Sequence, residues 1–315
     1  MKTPHLQAES EPQYYWPTSF LQPPEPPLII APMTVGIAAV CENGQAVVTA
    51  ADRLVGTSIV GIEIDGVHQK LMKLTPHVLL ASTGTIQDCE YVREKLRHSA
   101  SLLGGMSGMR VAEKLRRSCE KIRARQIEQK IVRPLLDMSY AEFSKICATN
   151  NSTPFTLNVW EQVRAYRFEL ELLIAGVEES SAFVFRILSD AVHSFAGAAG
   201  FTSIGSGGVM ASVELARCQQ NPSLSLVQTL FNVYSAKRAA EAVSGVGSAT
   251  DMALIRRGSE IEDVSPELLA KLKAIYDNMP LRLLTAGDVS SISAGLTKLP
   301  SPKAAAGSKG NRRGR

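Results

Sequence analysis

Hydrophobic and polar positions divide this chain into blocks of period two and blocks of period near 3.6, punctuated by glycine, proline and asparagine. The first block opens at Thr34. Two apolar runs, residues 34–41 and 45–51, flank Glu42-Asn43-Gly44, and Asn-Gly between such runs predicts a β-hairpin. Residues 59–64 alternate with β-branched side chains, Lys70-Leu71-Met72-Lys73-Leu74 follows after Gly66, and residues 78–82 read as a short buried strand. A helix is predicted over 88–103, with Tyr91, Val92, Leu96 and Leu102-Leu103 on one side. Gly104-Gly105 ends it. A longer amphipathic helix is predicted over 109–131, where Val111, Leu115, Cys119 and Ile122 form a stripe suited to a core or a subunit contact.

The second half repeats the alternation. Residues 133–163 read as extra, partly helical material with a polar loop at Asn150-Asn-Ser-Thr-Pro. A second strand pair is expected over 169–175 and 182–187, then an apolar run over 198–204 leading into Gly205-Ser206-Gly207-Gly208. Helices are expected over 209–218 and 224–243, a strand over 251–255, and a last helix to about residue 277, N-capped at Ser265 with proline in its first turn. Strand blocks alternating with helix pairs suit two antiparallel sheets packed face to face, each carrying helices on its outer side, an α+β class.

The flanks have a different character. Residues 1–33 hold Pro4, Pro12, Pro17, Pro23, Pro24, Pro26, Pro27 and Pro32, so they are expected as a disordered leader or extension. The domain is then expected over 34–285, with 133–163 inserted in it, and 286–315 as a flexible basic tail. The formal charge of +4 is owed to that tail, because residues 298–315 hold six basic groups and no acid, and removing them leaves −2. No nucleic-acid face is expected. Five scattered cysteines without a CxxC pair predict reduced thiols in a cytoplasmic protein with no zinc site. No apolar run is long enough for a membrane span, and none of the five histidines has a ligand-like neighbour.

Four short motifs carry the candidate chemistry: Met33-Thr34-Val35-Gly36-Ile37 at a strand start, Ala50-Ala51-Asp52-Arg53 at the end of the next, Gln69-Lys70-Leu71, and Ala81-Ser82-Thr83-Gly84. In this order and at these distances, and followed by Gly205-Ser206-Gly207-Gly208, they resemble the proteasome-like N-terminal-nucleophile (Ntn) hydrolases. The resemblance covers residues 34–258 and implies a four-layer α-β-β-α sandwich without metal or organic cofactor. It implies Thr34 as nucleophile with its own α-amine as base, Asp52 and Lys70 as the acid and lysine of the site, and Gly84 as the oxyanion donor. It also implies Ser206 beside the amine, with Glu241 and Ser244 of Glu241-Ala-Val-Ser244-Gly245 orienting it, Glu241 standing where the family carries Asp. A free amine has a reference pKa of about 8, so a nearby lysine can keep it largely neutral at about pH 7.

The placement of Thr34 requires the first hairpin to be two residues longer than is usual in that family. A register set by Thr-Val-Gly alone puts Pro32 at the nucleophile position instead. The family cleaves itself after glycine, whereas Thr34 follows Met33, so exposure of Thr34 by removal of an initiator Met33 is the favoured route. The expected function is a threonine peptidase or amidohydrolase acting on peptide or protein, as a homo-oligomeric ring or stack, with an ATPase partner possible. The rivals are a non-catalytic proteasome-type subunit that keeps residues 1–33 as an arm, and an Ntn amidase for a small non-peptide amide. Taken singly, each motif is bland: a threonine that favours a strand, a solvated turn, a surface lysine. A phosphate-binding loop at Gly205 is disfavoured, because its Gly-x-Gly-x-x-Gly spacing fails at Met210.

Overall fold

The computed structural model describes residues 34–57, 62–64, 69–97, 105–149, 153–166, 168–178, 181–188, 192–194 and 199–278. The leader and the basic tail, like residues 98–104 and the first half of the strand expected over 59–64, lie outside them. By contacts, residues 1–269 form one unit and 270–315 a second, described only as the C-terminal turns of the last helix.

The first hairpin forms as the Asn-Gly signal requires. Strands β1 (Gly36–Cys41) and β2 (Ala46–Asp52) pair antiparallel around a tight turn in which Glu42, Asn43 and Gly44 all have positive φ. Among the described residues, strands β3 (Val55–Thr57) and β4 (Ile62–Ile64) pair only with each other. β5 (Leu71–Thr75) and β6 (Val78–Thr83) make a second hairpin. Helix α1 (Ile86–Arg97) starts two residues earlier than expected, and α2 spans Gly108–Ile127. A π-helical turn, Glu128–Val132, then leads into α3 (Arg133–Leu136). Pro134 in the first turn of α3 has no N–H for the helical ladder, and a π turn is one way to shift the ladder past it.

Next come α4 (Tyr140–Ala148), α5 (Pro154–Ala165), β7 (Glu171–Val177), β8 (Ala182–Ile187), β9 (Val192–Ser194), β10 (Phe201–Ile204), α6 (Gly208–Arg217), α7 (Leu226–Ala240), β11 (Thr250–Arg256), β12 (Glu262–Asp263) and α8 (Pro266–Asp277). The strands build two five-stranded antiparallel sheets, in the orders β10-β1-β2-β11-β12 and β5-β6-β7-β8-β9. The fold is mixed α+β.

Both faces of the central strands are apolar, so each sheet must be covered twice. Between the sheets, Ala38, Val40 and Val47 of the first pack with Leu79, Ala81, Leu173 and Ala175 of the second. On the outer face of the second sheet, Leu80, Leu172 and Ile174 meet Val92 and Leu96 of α1 and Val111, Leu115, Cys119 and Ile122 of α2. The stripe on α2 is therefore core. α6 and α7 lie against the first sheet, on β10 and on β1 and β2 respectively. One expectation fails here: Tyr91 is 39% exposed, and the buried face of α1 is Cys89, Val92, Arg93 and Leu96. Position 91 is one step of about 100° off that face.

The material at 133–163 is more than decoration. Phe143, Val159 and Val163 close on Ile127 at the end of α2 and Val132 in the π turn after it, forming a separate small core with Trp160 against Phe143 at 6.0 Å between ring centroids. Its helices are well started: Ser139 and Glu142 make a reciprocal capping box, and Thr153 caps α5 ahead of Pro154.

Cys41, Cys89 and Cys119 are buried, and burial pushes the thiols of Cys41 and Cys119 up to about 12 and raises that of Cys89. A brief native treatment with a thiol reagent at pH 8, read by peptide mass spectrometry, should modify Cys147 and Cys218 first. The other three should react only as the protein unfolds in urea. Fast native modification of Cys119 would contradict this packing.

Candidate functional site

The site forms where the two sheets meet at one end. β2 ends at Asp52, whose carboxylate is fully buried; pairing of Gly36 with Ala51 sets Asp52 beside the residues that precede β1. Thr34 lies there, two residues before β1 begins, and its hydroxyl donates to Asp52 Oδ1 at 2.6 Å. The N–H of Val35 donates to the same oxygen at 2.9 Å. Lys70, the residue before β5 in the other sheet, reaches across. Its Nζ donates to Asp52 Oδ1 at 2.8 Å and Oδ2 at 2.9 Å, and also to Thr34 Oγ1. Leu54 N–H and Gly247 N–H complete the shell on Oδ2 at 3.2 and 3.1 Å.

The glycine loop after β10 holds the main chain of Thr34. Ser206 Oγ accepts from Thr34 N at 3.2 Å, and Gly207 N–H donates to Thr34 O at 3.2 Å. Gly205 has φ +83°, and a side chain there would run into the Thr34 carbonyl, so glycine is required on both counts. Gly207 N–H, which a phosphate-binding loop would turn toward its ligand, is spent on Thr34.

Four of the seven expected residues thus come together: Thr34, Asp52, Lys70 and Ser206. Gly84 follows β6 directly, with φ +141° and with Leu170 where a side chain would have to go. Thr83 pairs with Glu171, and Glu171 Oε2 accepts from Gly205 N–H at 3.2 Å, so Gly84 lies at the same end of the sandwich as the Thr34 loop. Glu241 is not on the Thr34 nitrogen. Its carboxylate holds Lys237 Nζ at 2.5 Å and Arg238 Nη1 at 2.6 Å. It is placed at the end of α7, where the cations of that helix's last turn are closer than the start of β1. Ser244 is exposed.

Lys237 is the residue the sequence reading missed. It is completely buried, and its Nζ donates to the carbonyls of Gly247 and Ser248 at 2.8 and 2.7 Å as well as to Glu241. That fixes the turn whose Gly247 N–H serves Asp52. Burial pulls the Lys237 pKa below its ordinary value, against the opposing pull of Glu241 and Asp52. A signal existed: Lys237 is four residues after buried Val233 and three before buried Ala240, on the inward face of α7. Among the described residues no group of three or more His, Cys, Asp or Glu side chains could hold a metal ion, and no helix is long and apolar enough to cross a membrane.

Chemically, the arrangement offers a hydroxyl held between a carboxylate and an ammonium, with a main-chain nitrogen of the same residue on a serine. A scan against protein-family models finds no match for this chain, and a search of curated proteins finds no similar sequence. The functional reading rests on the geometry.

Removing one member of the buried ion pair leaves the other charge uncompensated, at a cost of about 3–5 kcal/mol. Asp52→Ala should lower urea-unfolding stability by about that amount. In a double-mutant cycle, Asp52→Leu combined with Lys70→Met should cost far less than the sum of the two single changes. Additive losses would show that the two side chains are not coupled.

Proposed function

We propose that this chain is a proteasome-like threonine amidohydrolase acting on peptide amides, in a sandwich of the Ntn-hydrolase type, once Thr34 is its first residue. The observation that carries the reading is the convergence of Thr34 Oγ1, Asp52 and Lys70 from two sheets with Thr34 N set on Ser206. A threonine hydroxyl is a poor nucleophile unless a base is adjacent, and a free Thr34 amine would be such a base on the same residue.

Thr34 Oγ1 attacks the carbonyl carbon, and its proton, which points at Asp52 in the structure, passes to the α-amine directly or through a water. The carbonyl electron pair moves onto oxygen, where the Gly84 N–H is the proposed donor for charge present only in the transition state. Collapse breaks the C–N bond, and the leaving amine takes the proton from the ammonium. The ester left on Thr34 is attacked by water with the amine again as base, releasing the acid and regenerating the hydroxyl. Lys70 keeps the local potential positive, so that the amine stays neutral, and Asp52 holds both Lys70 and Thr34 Oγ1 in place. A homo-oligomeric assembly and a cytoplasmic location belong to the same proposal.

One observation favours a rival. Thr34 is only 3% exposed, as suits a non-catalytic subunit that retains the residues before it. N-terminal sequencing and intact mass of the protein from its native host separate the two. A chain starting at Thr34 should hydrolyse fluorogenic peptide amides, Thr34→Ser should retain activity, and Thr34→Ala should fall to background while still unfolding cooperatively in urea. Activity in Thr34→Ala equal to that of the unaltered protein would refute the mechanism.

A further inference from the structure

The alternation of β7 and β8 carries two charges where apolar residues are due. Leu173 and Ala175 of β7 and Val184 of β8 pack toward the first sheet, whereas Leu172, Ile174 and Phe185 pack toward α1 and α2. With a period of two, Glu171 and Arg186 fall on the inter-sheet side. Arg186 is paired with Leu173, which makes it the diagonal neighbour of Glu171, within reach of a long side chain. Its Nη2 donates to Glu171 Oε1 at 2.6 Å. The two side chains are 34% and 24% exposed, so the pair caps the end of the interlayer rather than lying in it.

The second oxygen of Glu171 does something else. Oε2 accepts from the N–H of Gly205 at 3.2 Å, and Gly205 opens the loop whose Ser206 Oγ takes the Thr34 nitrogen and whose Gly207 N–H takes the Thr34 carbonyl. On the other side, Thr83 is the strand partner of Glu171, and Leu170 fills the space beside Gly84. The dipeptide Leu170-Glu171 therefore touches both the proposed oxyanion donor and the loop that holds the proposed base. Lys70 and Asp52 tie the two sheets together at the Thr34 hydroxyl; Glu171 ties them at its nitrogen. Because Arg186 balances the carboxylate, this second tie brings no net charge to the site.

We propose that Glu171 is a positioning residue: a strut from β7 to the Gly205 N–H that sets Ser206, and with it the Thr34 nitrogen, at a fixed place relative to Gly84. The inference rests on the hydrolase reading for its effect on catalysis, but the strut can be measured without turnover. Its action depends on reach and not on charge. Gln has the length of Glu and one oxygen that can accept from Gly205, whereas Asp keeps the charge and is one methylene short.

The experiment compares Glu171→Gln, Glu171→Asp and Glu171→Ala, each made in the native host so that it carries the N-terminus the host leaves. A half-exposed position tolerates these changes without loss of the fold. On a fluorogenic peptide amide, Ala and Asp should lower kcat roughly 10- to 100-fold with KM little changed, because a small displacement of a reacting group acts on the chemical step. Gln should restore kcat to within several-fold of the unaltered protein. Hydrogen–deuterium exchange read by mass spectrometry should show the Gly205 and Gly207 amides exchanging faster in Ala and Asp but not in Gln, with the peptides of α2 unchanged in all three.

Faster exchange confined to the Gly205 loop, in a protein whose unaltered form hydrolyses nothing, would uphold the strut and sink the hydrolase reading. Full activity in Glu171→Ala would overturn this inference and leave that reading standing. Asp outperforming Gln would overturn it by making charge, not reach, the operative property. Unchanged exchange at Gly205 and Gly207 in Ala would overturn it, as would faster exchange spread through α2, which would mark Glu171 as a general support of the fold.

Discussion

Everything at this end of the molecule depends on satisfying one buried carboxylate. Asp52 has no access to water, and an ionised group in that position is tolerable only with close donors and a countercharge. It gets them from four parts of the chain: the start of β1, the turn after β2, the residue before β5, and the turn after α7. Because Lys70 arrives from the second sheet, the ion pair pins the two sheets at the edge where the apolar interlayer ends. The hydrophobic core fixes that the sheets stack. The Asp52 shell fixes their register at this end.

A second layer of polar accounting supports the first. Gly247 can serve Asp52 only if its turn is held, and Lys237 holds it through two carbonyls while Glu241 compensates its charge. On the other side, the loop at Gly205 to Gly207 holds Thr34 by both its nitrogen and its carbonyl. The nucleophile candidate is thus fixed by main chain as well as side chain, and its hydroxyl has little freedom except the direction of its proton. Such fixity is what positioned chemistry needs, and it is also what a rigid scaffold would show.

The sequence made the local signals legible and the distant ones obscure. Asn43-Gly44 announced the first hairpin, Ser265-Pro266 the last helix, and the stripe from Val111 to Ile122 the inner face of α2, because each is decided within a few residues. The short edge strands β9 and β12 left no pattern, since three and two residues cannot display a period. The helices at 133–163 were visible as helices, but their separate core was not, because Ile127 and Phe143 meet only through tertiary packing. Of the site, Thr34, Asp52, Lys70 and Ser206 were found through their order along the chain.

Glu241 and Lys237 show why order alone has a limit. Glu241 fell at a position where a resemblance gave it the Thr34 nitrogen, yet its side chain is neutralised by the two cations preceding it on α7. A lysine is usually solvated, and only the place of Lys237 on the inward face of α7 argues otherwise. A buried lysine with a buried carboxylate nearby is a cost unless the pair stabilises something else. Here the compensation is the Gly247 turn and through it Asp52, so a charge that looks remote from Thr34 in sequence is one hydrogen-bonded turn away from the carboxylate that holds it.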